Sequence, residues 1–141
     1  MSQTVFVDTN VLLDVLLARQ PFVDHAQRIW SMAERAEIRA VVSAASFLNV
    51  YYIVARLSSR AQADRAIRGM LAIFQIAPVD TQIINQAVES GSSDFEDAAQ
   101  QACASRAGAV CIVTRDERHF GRSTVPAIGP DAFLAKIDSG Q

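Results

Sequence analysis

Five short apolar runs, largely without polar alternation, constrain this chain more than any other feature. They are Val5-Phe6-Val7, Ile38 to Val42, Ile76 to Val79, Val110 to Val113 and Val125 to Ile128. A strand with one wet face alternates apolar and polar residues. Continuous runs instead predict strands covered on both faces, as in a parallel sheet between helices. Helical patterns fill the intervals. Phe22, Ala26, Ile29, Trp30 and Ala33 recur at helical spacing, with Pro21 suited to the start. Ser43 is a good N-cap for a helix bearing Phe47, Val50, Tyr51, Val54 and Leu57, and Ser58-Ser59 breaks it from a stripe of Ala63, Ile67, Met70, Leu71 and Phe74. Asp80 or Thr81 caps a helix carrying Ile84, Ala87 and Val88. Ser93 or Asp94 caps an Ala-rich helix to Arg106 that Gly108 ends, and a last helix runs from Pro130-Asp131 to about Ile137. This alternation predicts an α/β fold over residues 1–141 as a single domain, three layers deep (α/β/α), with a central parallel sheet of about five strands.

Composition narrows the setting. No apolar run approaches the roughly 18 residues of a membrane span, and no basic region precedes the first apolar stretch, so neither an anchor nor a signal peptide is expected. Cys103 and Cys111 have no metal-knuckle spacing and lie in apolar runs; they read as buried reduced thiols of a cytoplasmic protein. A net charge of −2 argues against a generally basic nucleic-acid binder, yet leaves room for an enzyme that handles RNA through a local basic rim.

Ligands of open parallel sheets sit beyond the carboxyl ends of the strands, where strand order reverses. Asp8 follows the first predicted strand and Asp116 follows the fourth, in CIVTRDERHF. Asp94 and Asp97, in SDFEDAAQ, fall on the first turn of a helix, where a three-residue spacing puts both on one face. Four acids from three segments therefore reach one crevice. Converging carboxylates repel unless protonated or neutralised by a cation, and hard oxygen donors suit Mg²⁺ or Mn²⁺. Each acid also has a plainer reading. Asp8 and Asp94 can serve only as helix caps, Asp97 as a solvated acid, and Asp116 as a turn residue. Asp14, two turns past Asp8, reads as structural or as surface. It is the joint placement at one sheet edge that favours a site.

VFVDTNVLLD, SDFEDAAQQACA and CIVTRDERHF, in this order and on these elements, resemble the three acidic motifs of PIN domains, the metal-dependent nucleases found in VapC-type toxins. The likeness extends from residue 4 to about 135, including a closing PAIGPDAFL segment. It implies that Asp8, Asp97 and Asp116 are the catalytic, metal-binding acids, with Asp94 an accessory ligand or a cap. It also implies that Asn10 and Thr114 brace or hydrate the site. It further implies a Mg²⁺- or Mn²⁺-dependent endoribonuclease that leaves a 5′-phosphate and a 3′-hydroxyl, a toxin paired with an antitoxin protein, and a homodimer. Family members typically carry a further glutamate on the helix after the second strand. The matching stretch here is SAASFLNVYYIV and the position is Asn49, whose amide brings no charge and is a poor general base.

Twelve of the thirteen basic residues are arginines. Arg115, Arg118, His119 and Arg122 follow the fourth strand, where arginine grips phosphate bidentately; Arg115 and Arg118 are the candidate RNA contacts, and solvated ion pairs are the plain alternative. Arg56, Arg60, Arg65 and Arg68 cluster around a helix–helix junction. Apolar residues of FLNVYYIV and of the helix over 61–74 exceed what one small core needs, which suits a dimer surface. The rival enzymes fit less well. A phosphoacceptor receiver needs a lysine after its last strand, a dehalogenase-like phosphatase needs an aspartate where Asn10 stands, and a nucleotide switch needs a Gly-rich loop with lysine. The remaining alternative is a PIN-fold protein that binds RNA or a partner and cuts weakly or not at all, because Asn49 replaces the usual acid.

Overall fold

The computed structural model describes residues 2–120 and 124–140. Five strands, β1 (Thr4–Val7), β2 (Arg39–Ser43), β3 (Gln75–Ala77), β4 (Cys111–Val113) and β5 (Ala127–Ile128), pair in parallel in the order β3-β2-β1-β4-β5. The chain thus builds outward from β1 on one side and returns to build outward on the other. The reversal falls between β1 and β4, where Phe6 is in register with Ile112 and Val7 with Val113.

Alternation along each strand explains the two covered faces. Val5, Val7, Ala40, Val42, Cys111 and Val113 point into one apolar cluster, and Phe6, Val41 and Ile112 point into the other. The first cluster is closed by α1 (Thr9–Leu16), α2 (Val23–Glu34), α3 (Ala44–Leu57), α4 (Arg60–Ile73) and α7 (Pro130–Asp138). Helices α5 (Thr81–Glu89) and α6 (Phe95–Arg106) close the second. No helix among the described residues is long and apolar enough to cross a membrane.

Most expected boundaries hold. Ser43 caps α3 through Ala45 N–H, Ser59 caps α4, Asp80 caps α5 and Asp94 caps α6. Helix α1 begins at once after Asp8, at Thr9, because the Asp8 side chain accepts the first free N–H. The short 3₁₀ turn η1 (Glu117–Phe120) was not foreseen; four residues carry too little periodicity to show. Gly108, at φ +72, follows the end of α6 in the left-handed conformation that glycine adopts without cost. Both cysteines are buried free thiols. Leu48, Tyr52, Leu57 and Leu71 on α3 and α4 are exposed, as the excess of apolar residues there suggested.

Candidate functional site

Asp8 stands at the strand-order reversal, tied across it by its own N–H, which donates to the Val113 carbonyl at 3.0 Å. It caps α1 through Oδ1, which accepts from Thr9 N–H at 2.7 Å. Its Oδ2 accepts from the Thr114 hydroxyl at 2.7 Å and from the Asn10 amide at 3.3 Å. The cap reading and the site reading of Asp8 are therefore compatible, since each uses a different oxygen. Burial pushes the Asp8 carboxyl above its usual range. Hydrogen bonds from Thr114, Thr9 and Gln100 pull it back, while the nearby Asp116 charge pushes it further up.

Thr114 and Asn10 connect the two strand ends. The fully buried Thr114 hydroxyl donates to Asp8 and accepts from Asp116 N–H at 3.0 Å. Arg115 N–H donates to Asn10 Oδ1 at 3.3 Å, which turns the amide nitrogen toward the acids; Asn10 Nδ2 lies 3.2 Å from Asp116 Oδ2. Asp8, Asn10, Thr114 and Asp116 thus form one hydrogen-bonded unit. Neither acid has a cationic side chain against it among the described residues.

Helix α6 carries the other two candidate acids. Asp94 Oδ1 accepts Asp97 N–H at 3.0 Å, so this carboxylate is engaged as the cap. Asp97 is half-buried one turn on, and Gln100, another turn on, is only 5% exposed, close enough to Asp8 for its amide to draw that carboxyl's pKa down. Gln100 Oε1 is buried with no hydrogen-bond partner among the described residues. Sequence reading passed over Gln100; its three-residue spacing from Asp97, which repeats the Asp94–Asp97 spacing, was the available signal. Asn49 is exposed on α3, one turn beyond Ser46, whose hydroxyl pairs with that of Thr9 at 2.6 Å.

The basic residues divide. Arg115 donates through Nε and a terminal nitrogen to both oxygens of Asp14, at 2.6 and 3.1 Å, and its guanidinium lies 3.9 Å over the Phe22 ring. Arg19 adds a longer contact to Asp14 at 3.8 Å. Asp14 is fully buried, which settles its role as structural. Arg118 is exposed and without a partner among the described residues. Arg122 and the side chain of His119 lie outside the described residues. His25 is exposed, and in the distal group Arg68 pairs with Asp64 and Arg56 with the Tyr52 hydroxyl.

No group of three or more acids, histidines or cysteines among the described residues is drawn tightly enough to be a ready metal cage. The donor set nonetheless fits a hard cation. It is all oxygen, it includes a carboxylate whose pKa burial raises, and beside that carboxylate is Gln100, whose Oε1 lacks a partner among the described residues.

Acids gathered where an all-parallel α/β/α sheet reverses its strand order define a class of protein that holds its ligand at the carboxyl edge. Within that class the chain belongs to the PIN domain family, whose pattern matches residues 4–118; members are typically metal-dependent nucleases. No curated protein matches the chain in sequence. Among solved structures it is similar to the sarcin–ricin-loop-cleaving toxin VapC20 of Mycobacterium tuberculosis, with 19% identity and a TM-score of 0.67 over 86% of this chain and 98% of that one. It is also similar to a chain of the DNA-bound VapBC of Salmonella typhimurium (16%, TM-score 0.68, 92% and 99%). A toxin–antitoxin complex from Klebsiella pneumoniae matches at 18% identity and TM-score 0.67, over 89% and 97%. These likenesses show the fold.

Proposed function

We propose that this chain is a Mg²⁺- or Mn²⁺-dependent endoribonuclease, the toxin of a cytoplasmic toxin–antitoxin pair. The observation that carries the reading is the Asp8–Asn10–Thr114–Asp116 unit at the strand-order reversal, two linked carboxylates that lack a cationic side chain among the described residues. Asp8, Asp116 and Asp97 would hold the ion, with Asp94 accessory to them through its cap. When bound, the ion supplies charge for the phosphodiester oxygens and acidifies an attacking water. Thr114 and Asn10 fix the orientation of Asp8 and Asp116, and Gln100 steadies Asp8 from α6. Arg118, exposed and unpaired among the described residues, would receive a substrate phosphate. Arg115 contributes through its peptide N–H on Asn10, since its guanidinium is engaged by Asp14. The toxin reading draws support from the similar structures, two of them complexes with antitoxins or DNA. A homodimer through α3 and α4 accounts for the exposed Leu48, Tyr52, Leu57 and Leu71. Two reduced buried thiols suit the cytoplasm.

The test is cleavage of single-stranded and structured RNAs with Mg²⁺, with Mn²⁺ or with chelator, beside Asp97→Asn. Cleavage should need the metal and be abolished in the variant. Equal cutting in chelator, or by the variant, would sink the proposal. A second reading, RNA binding without cleavage, is favoured by the neutral and exposed Asn49. RNA retention with no product at any metal concentration is its signature in the same assay. Sedimentation checks the dimer, which a monomer at high micromolar concentration excludes.

A further inference from the structure

A cavity of about 510 Å³ opens beside the acidic centre, lined by Phe22, His25, Arg115, Glu117, Gly129 and Asp131. The geometry points to a subsite for an unpaired guanine base of the RNA strand, stacked at the Phe22–Arg115 pair and read by the carboxylates of Glu117 and Asp131. The inference rests on the ribonuclease reading for the strand that delivers the base.

Placement comes first. Arg115 and Glu117 flank Asp116 in the chain. A side chain at Gly129 would begin 4.0 Å from the Thr114 carbonyl, and the Thr114 hydroxyl is bonded to Asp8. A nucleotide whose phosphate lies at the acids must put its base close by, and this cavity is the neighbouring space.

Chemistry selects the occupant. Unpaired RNA bases are recognised by stacking on aromatic rings or guanidinium planes and by hydrogen bonds along the Watson–Crick edge. Phe22 and Arg115 supply a stacked aromatic–guanidinium pair, and the buried Asp14 holds Arg115 in place. The polar groups over Gly129 are acceptors. Asp131 Oδ1 lies 2.8 Å and Glu117 Oε1 3.5 Å from where a β-carbon would stand, so glycine keeps this floor open. Glu117 has no hydrogen-bond partner among the described residues. Carboxylates need donors. Guanine presents two adjacent donors, N1–H and the 2-amino group, that match one carboxylate. Uracil presents a single donor between two acceptors, and adenine and cytosine set one amino group beside an acceptor.

The experiment titrates the isotope-labelled full chain, in chelator, with guanosine 5′-monophosphate, uridine 5′-monophosphate and N-acetylarginine amide, following backbone resonances. Guanosine monophosphate should shift Phe22, Glu117 and Gly129 and bind about tenfold more tightly than the uridine compound. Joint Glu117→Gln and Asp131→Asn substitution should erase that difference. The Asp131→Asn side chain retains an oxygen for the local bond that Asp131 Oδ1 accepts from Ala132 N–H, so folding is preserved. Equal affinity for the two nucleotides, or shifts elsewhere, overturns the proposal. Tighter seating of the arginine amide also overturns it, and assigns the cavity to a protein side chain. In a parallel cleavage series of RNAs differing at one base, the wild type should favour guanosine beside the cut and the double variant should not. A wild type that cuts no RNA yet binds guanosine monophosphate selectively supports the subsite while removing the nuclease reading.

Discussion

Asp8 and Asp14 lie at the two ends of one short helix, both nearly or wholly inaccessible, and the protein treats them in opposite ways. Asp14 is 0% exposed and meets a bidentate guanidinium, with a second arginine farther out. Asp8 is 7% exposed and meets an amide, a hydroxyl and a peptide N–H, all neutral, with another carboxylate nearby. A buried charge matched inside the chain is a structural element. A buried charge held by neutral donors is still short of a cation, and in the proposed function a metal ion makes up that shortage. Residue type and burial alone do not distinguish the two aspartates; their partners do.

Breaking the matched pair should have the largest effect. Arg115→Ala leaves the Asp14 carboxylate buried beside Arg19 alone, which should cost about 3 kcal/mol or more of folding stability by urea denaturation. A loss under about 1 kcal/mol would mean that Asp14 had reached water or Arg19, and the contrast with Asp8 would fade. The unmatched acid should behave in reverse. The folded-state pKa of Asp8 is raised above its unfolded value of 3.8, so the folded protein binds more protons between those two values. Stability therefore falls as pH rises through that window, and the penalty is fully present at neutral pH. Asp8→Asn should then stabilise the metal-free protein at pH 7, an advantage that vanishes as pH drops through the folded pKa to the unfolded value. Mn²⁺ should raise the melting temperature of the wild type and not of the variant. Thermal melts across pH, with and without the ion, check both statements.

The legibility of the two acids was uneven for a physical reason. The sheet could be read because parallel strands buried on both faces leave continuous apolar runs, and the caps because Ser43, Asp80 and Asp94 sit at the starts of apolar periodicity. Asp8 was legible because it ends the first such run. The Asp14–Arg115 pair was not. It joins residues 101 positions apart, and only the crossing from β1 to β4 brings them together. Nothing local to TRDER shows that the Arg115 guanidinium gives two of its donors to Asp14. Gln100 was overlooked for a related reason: its spacing from Asp97 puts it on the same helix face, but its position beside Asp8 depends on how α6 packs against the sheet.

Gln100 sharpens the comparison at intermediate scale. Its amide supports Asp8 while its buried Oε1 lacks a partner among the described residues. Gln100→Leu removes an unsatisfied oxygen together with the amide that supports Asp8, so the two effects oppose and the metal-free fold should change in stability by less than about 1 kcal/mol. Mn²⁺ binding by calorimetry should weaken several-fold in the same variant. A loss of stability with unchanged Mn²⁺ affinity would make Gln100 a packing residue.

The smallest expected effect belongs to Asn49. It stands one turn beyond Ser46, whose hydroxyl bonds to that of Thr9, the residue after Asp8. It is exposed, so any charge placed there is screened by water and acts weakly on an ion at the acids. Asn49→Glu adds one negative charge to a site short of positive charge, which should lower the Mg²⁺ concentration for half-maximal cleavage by about threefold. At an effective dielectric near that of a protein surface this corresponds to less than about 1 kcal/mol. The added charge should also make metal-free Asp8 harder to ionise, widening the stability gain of Asp8→Asn measured in the Asn49→Glu background. The two readouts must move together. An unchanged metal requirement together with an unchanged Asp8→Asn gain would place Asn49 outside the electrostatic reach of the site, leaving Asp8, Asp97 and Asp116 to hold the cation without help from α3.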